Sequence, residues 1–221
     1  MKTHNYIFLL VFNILFVLNL NAQTFVVRAG LNLSTMLSKD DRGTYSKDYS
    51  LTPGLLIGVS KDLRMTESLS FEASVNYSQK GFLLDKDYQL YASQEPTHSY
   101  YKAVLSYLEL PLALKYNTTI AKLPVYGLLG PYLGFGLGGK TTSDVYSGNS
   151  SERKTFYGEM NKDGYWKKFD GGIVAGLGVS IKKFDCRLTY SYGLVNFSRR
   201  DPLIQKNRVA GISVGYRFSL N

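Results

Sequence analysis

Residues 68–78 read Ser-Leu-Ser-Phe-Glu-Ala-Ser-Val-Asn-Tyr-Ser. Leu69, Phe71, Ala73, Val75 and Tyr77 fall on one face of an extended chain. Ser68, Ser70, Glu72, Ser74, Asn76 and Ser78 fall on the other. Successive side chains of a strand point to opposite faces, so this unbroken period of two reads as a strand with one apolar face.

Outward from this stretch the same pattern recurs. In 107–116, Leu108, Leu110, Leu112, Leu114 and Tyr116 oppose Tyr107, Glu109, Pro111, Ala113 and Lys115. Residues 25–34, 54–60, 129–138, 170–181, 184–194 and 210–218 alternate likewise, which predicts eight strands in all. Their lengths suit the roughly 9–11 residues of a tilted membrane-crossing strand. The connections predicted at 64–67, 117–122 and 182–183 are short. Those at 36–51, 82–101, 141–168 and 196–206 are long and rich in turn formers such as Asp40-Asp41-Arg42-Gly43. In an up-and-down sheet all the long connections then share one end. That asymmetry is the mark of an antiparallel, eight-stranded transmembrane β-barrel with short periplasmic turns and long extracellular loops.

Composition agrees. The 221 residues include 21 Gly and 18 Tyr, with only 19% charged residues. A single cysteine, Cys186, excludes a disulfide framework. A mean hydropathy of −0.13, with one long apolar run, argues against a helical membrane protein. That run opens the chain: Lys2, then an apolar stretch to Leu20, then Asn21-Ala22-Gln23. It has the layout of a cleaved signal peptide, residues 1–22, leaving 23–221 as the barrel domain. Removing it takes away one charge, Lys2, and leaves a net charge of +8.

Alternation does not say which face meets water. A soluble lipocalin-like carrier would put the apolar face inside. The polar face here is rich in Gly and Ser, and its few charges are of both signs, including Arg28, Glu72, Glu109, Lys115, Asp170, Asp185, Arg187 and Arg217. A water-facing exterior would carry more Lys and Glu. The expectation is therefore an apolar exterior in lipid, in the bacterial outer membrane, around a lumen too narrow for an open pore. Arg28, Glu72, Glu109, Lys115, Arg187 and Arg217 are expected to form an ion-pair network that plugs and stiffens that lumen.

Several pieces carry a family resemblance: residues 29–34, 76–81 (Asn-Tyr-Ser-Gln-Lys-Gly), 107–112 (Tyr-Leu-Glu-Leu-Pro-Leu), 130–134, 169–178, 190–194 and 215–218. In this order they resemble the PorT-like outer-membrane β-barrels of Bacteroidota. The resemblance spans the mature chain and implies an eight-stranded barrel without a single family-wide activity. One relative supports a type IX secretion system, which makes an accessory role in secretion the alternative to a structural or interaction role. Gly215, Phe218 and Leu220 resemble a signal for the outer-membrane insertion machinery.

No catalytic, cofactor or metal constellation emerges. The glycines of Gly134-x-Gly136-x-Gly138-Gly139 alternate within a strand and precede no helix, unlike a phosphate-binding loop. His98, beside Ser99 and near Glu95, could serve a lipid-modifying enzyme, but neighbouring side chains on an extended chain point apart. One Cys and one mature His cannot supply a usual zinc site. Without a basic helix or stripe, the positive charge implies no nucleic-acid partner. Outer-membrane lipid at the rims is the better expectation, for a chain expected to be monomeric. Among the loop aromatics, which also include Tyr146 and Phe156, Tyr100, Tyr101, Tyr157, Tyr165 and Trp166 are the expected anchors for a protein partner.

Overall fold

A computed structural model of the chain describes residues 23–88, 97–147, 150–158 and 166–220. The reading of 1–22 as a leader lies outside the described residues. Eight strands make the barrel: β1 Gln23–Lys39, β2 Thr52–Arg64, β3 Leu69–Tyr88 and β4 Thr97–Ile120 form the first half. β5 Leu123–Ser147, β6 Phe169–Ile181, β7 Phe184–Gly193 and β8 Ile204–Leu220 form the second. Each pairs antiparallel with its sequence neighbours, and β1 pairs with β8 from Gln23↔Leu220 to Lys39↔Ile204, which closes the ring. Closure removes the unpaired edges that lipid cannot hydrate.

The predicted parity holds on every wall. Leu31, Leu55, Leu114, Leu129, Leu133, Leu177, Leu188 and Ile212 are exposed on the outside, Leu177 to 70%. The inner positions Arg28, Glu72, Lys115, Asp170, Asp185 and Arg187 are buried. A soluble carrier of the lipocalin type would need the reverse, because this exterior offers water an unbroken apolar belt. The outward stripe faces lipid.

The strands are longer than the alternation suggested. β3 and β4 remain paired to Tyr88↔Thr97, and β5 continues to Ser147, where a further strand, Ser150–Gly158, folds back on it. Much of the predicted loops 82–101 and 141–168 is therefore β-structure standing beyond the membrane. A register shift at Ser106/Tyr107, where Gly138 and Gly136 are the successive partners, bulges β5 at Leu137. The glycine run thus lies within a strand. In the first long connection, Asp40 Oδ1 accepts from the backbone N–H of Arg42 at 2.7 Å and of Gly43 at 3.1 Å, and from Tyr45 Oη at 3.1 Å. These bonds, that from Arg42 foremost, hold its carboxyl below the usual range.

The turn between β4 and β5 is tight: Ile120 pairs with Leu123, and Ala121 and Lys122 have φ of 49° and 68°. Two central residues at positive φ are the pattern of a type I′ hairpin turn, which favours Asn-Gly. Left-handed backbone costs other residues about 1–2 kcal/mol each. Ala121→Asn with Lys122→Gly should therefore raise the midpoint of the heat-induced shift of the folded band on a gel. A lowered midpoint would contradict this turn.

Candidate functional site

The inner faces of the strands bring charged side chains together in two layers. Glu72 of β3 is the hub of the lower layer, nearer the short turns. Arg187 of β7, from the opposite wall, donates to both its oxygens, Nη1 to Oε1 at 2.7 Å and Nη2 to Oε2 at 2.6 Å. Arg28 of β1 donates Nη1 to Oε1 at 3.2 Å and Nη2 to Ser60 Oγ at 3.1 Å. Lys115 of β4 lies 3.6 Å from Oε2 and donates to Asp62 Oδ2 at 2.8 Å. Tyr126 accepts from Arg187 Nε at 2.9 Å and donates to Asp185 Oδ1 at 2.8 Å. The layer balances Arg28, Lys115 and Arg187 against Asp62, Glu72 and Asp185, so burial leaves no net charge to solvate. Gly178 makes room for it: a Cβ there would lie 2.2 Å from the Tyr126 ring.

The upper layer centres on Lys80 of β3. Its Nζ pairs with Glu109 and donates to Asp170 Oδ2 at 2.9 Å. It lies 4.4 Å from the centroid of the Tyr132 ring and 5.3 Å from that of Tyr107, favourable ground for a cation. Asp170 also accepts from Asn207 Nδ2 at 2.9 Å, Tyr132 Oη at 3.3 Å and the backbone N–H of Gly171 at 2.9 Å. A cavity of only about 50 Å³, lined in part by Asn32, Asn76 and Ser78, separates the layers.

Above them Met36, Phe82, Ala103, Leu105, Tyr107, Trp166 and Phe197 form a buried apolar cap, with Tyr49 and Tyr101 packed against it. Phe82 meets Tyr49 edge-on at 5.4 Å and Trp166 at 6.2 Å, and stacks on Tyr101 at 6.0 Å between centroids.

The six predicted network residues separate. Arg28, Glu72, Lys115 and Arg187 meet in the lower layer. Glu109 does not join them: it pairs in register with Asn76, four residues along β3 from Glu72, or about 13 Å of strand. Arg217 is partly exposed, two residues nearer the short-turn mouth than the register partner of Arg28, and forms no salt bridge among the described residues. Lys80, Asp62, Asp170 and Asp185 complete the layers instead. Asp170 and Asp185 were legible as inner-face charges. Continuing the alternation two residues past Ser78 and Ser60 would have reached Lys80 and Asp62.

Of the predicted anchors, Trp166 is only 9% exposed and belongs to the cap, as does Tyr101 in part. Both reach apolar neighbours inside the barrel mouth; Trp166 is buried there, while Tyr101 stays partly exposed. Tyr100, one residue from Tyr101, faces outward. Tyr165 lies outside the described residues, and Tyr146, Phe156 and Tyr157 are placed by backbone alone. His98 Nδ1 lies 2.7 Å from Asp87 and Nε2 3.1 Å from Asp85, both on β3. Ser99 takes the opposite strand face, so the two do not form a nucleophile and its base; Glu95 lies outside the described residues.

A family profile described as "Outer membrane protein beta-barrel domain" matches residues 21–199. A search of curated protein sequences finds no match. Among solved structures, Ail, the attachment invasion locus protein of Yersinia pestis, is 15% identical with a TM-score of 0.42, over 90% of this chain and 100% of that one. Neisserial surface protein A is 16% identical with a TM-score of 0.38, over 89% and 97%. OprG of Pseudomonas aeruginosa is 14% identical with a TM-score of 0.37, over 89% and 96%. With its closed ring, its apolar exterior and a profile match over most of its length, the chain belongs to the outer membrane protein β-barrel domain family and resides in the bacterial outer membrane.

Proposed function

We propose that the protein is a closed, non-conducting scaffold of the outer membrane, without chemistry of its own, that presents its external hairpins to a protein partner. The observation that carries this reading is the filled lumen: two charged layers crossing from wall to wall, with an apolar cap above them. Eight strands enclose a space that side chains can fill. The long β3–β4 and β5 hairpins then hold the outward-facing Tyr100 beyond the membrane on a rigid sheet. The barrel works as a monomer and reaches its membrane through the insertion machinery, guided by the segment that ends in Phe218 and Leu220.

Reconstituted in a planar lipid bilayer, the protein should give no steady conductance. Current that scales with added protein would overturn the closed scaffold. Shortening the β5 hairpin from Thr142 to Thr155 should keep the heat-modifiable band and abolish cross-linking of Tyr100-labelled protein to its partner in cells. Unchanged cross-linking would move the contact elsewhere. A second reading, accessory function in type IX-like secretion, is favoured by the PorT-like order of motifs from Asn76-Tyr77-Ser78 to Gly215-Tyr216-Arg217-Phe218. It requires a deletion strain to retain secreted cargo.

A further inference from the structure

The outward face of β8 changes character along its length. From the short-turn end it carries Phe218, Tyr216, Val214, Ile212 and Ala210, and then, towards the long-loop end, Arg208 and Lys206. Arg208 pairs in register with Tyr192 of β7 and Thr35 of β1, and Lys206 with Leu37 of β1. The guanidinium carbon of Arg208 sits 3.4 Å from the centroid of the Tyr192 ring, which is 45% exposed. Its Nη1 donates to the carbonyls of Gly193 and Asn207, both at 2.9 Å. Two carbonyls and a ring thus hold one end of the fork, while Nε and Nη2 have no partner among the described residues. Neither Arg208 nor Lys206 forms a salt bridge among the described residues.

Directly below, Ile212, Leu188 and Leu177 stand side by side across β8, β7 and β6, exposed to 57%, 60% and 70%. Above that shelf, towards the long-loop end of the strand, stand the two cations, with no acidic partner among the described residues. A planar guanidinium matches a phosphate with two parallel hydrogen bonds, and an ammonium adds a point charge.

We propose that Arg208, Lys206 and Tyr192 form a binding site for the phosphate of an outer-leaflet glycolipid of the lipid A type. Its acyl chains lie on the Ile212–Leu188–Leu177 shelf. The site commits to the outer leaflet because the shelf runs from the cations towards the membrane centre.

Native mass spectrometry of the detergent-purified protein tests it, with bisphosphorylated lipid A, its dephosphorylated form and phosphatidylglycerol as probes. The wild type should retain one lipid A, and Arg208→Gln should weaken this roughly tenfold, the loss of one charge-assisted contact. Lys206→Gln, which removes no hydrogen bond within the protein, should weaken it in the same direction. Lys183→Gln, at the opposite rim, should not. Equal retention by wild type and both variants would overturn the site. So would equal binding of the dephosphorylated glycolipid, which would leave only the apolar shelf. Preferential binding of phosphatidylglycerol at Arg208 would overturn the assignment to the outer leaflet. The heat-modifiable band reports whether each variant is folded.

Discussion

Glu72→Ala should lower the heat-modification midpoint of the folded barrel more than any other single lumen substitution except loss of Lys80. Glu72 receives both nitrogens of the Arg187 fork, one nitrogen of Arg28 and the hydroxyl of Ser74, and Lys115 lies beside it. Alanine removes the one anion that, among the described residues, touches all three cations. Asp62 still faces Lys115, and Asp185 lies 3.8 Å from both guanidinium groups, too far for a good hydrogen bond. Three buried positive charges then share two carboxylates. Breaking one side of a buried pair costs about 3–5 kcal/mol, although the intact pair can be near neutral relative to an apolar replacement. The same asymmetry predicts a rescue: adding Arg187→Met to Glu72→Ala should recover part of the loss, because it removes a stranded charge. The check is the gel midpoint of the single and double variants at one pH. An unchanged midpoint for Glu72→Ala would show that the lower layer does not stabilise the barrel. A double variant worse than the single would show that Arg187 acts through packing instead.

What could be read from sequence, and what could not, follows the physics of a strand in a membrane. Parity was legible because lipid and lumen impose opposite demands on alternate residues: Leu55, Ile57 and Val59 could face only lipid, and Ser60 only the lumen. Strand ends were not. Beyond the membrane both faces of a hairpin meet water, the alternation fades, and paired segments such as 83–88 and 97–102 resemble loops. Lys80 and Asp62 were missed for a related reason, since the strands were ended too early to include them. Parity also says that a charge points inward, but not at what height. Height depends on the stagger of the strands, which sets Glu109 opposite Asn76 rather than Glu72. The aromatic cap was hidden by a different ambiguity. Trp166 in a polar connection could face a partner or fold over the mouth, and only the inward positions of Phe82, Leu105 and Phe197 decide for the mouth.

Lys80→Met should cost as much as Glu72→Ala or more, and its rescue should depend on which carboxylate is neutralised. Lys80 is fully enclosed and, among the described residues, is the only cation in contact with Glu109 and Asp170. Methionine fills similar volume and leaves two buried anions without their counter-charge, a loss of about 3–5 kcal/mol. The two anions are not equally exposed to that loss. Asp170 keeps Asn207, Tyr132 and the backbone N–H of Gly171, three donors that still satisfy its oxygens. Glu109 has no other charged partner among the described residues, and its Oε1 has no further hydrogen bond. Neutralising Glu109 should therefore relieve more strain than neutralising Asp170. In a background of Lys80→Met, Glu109→Gln should restore most of the midpoint, and Asp170→Asn distinctly less. Equal rescue by the two would mean that the hydrogen bonds to Asp170 do not offset its burial. Stronger rescue by Asp170→Asn would mean that Glu109 finds solvent at the cavity between the layers, and that the upper layer is held by Asp170 alone.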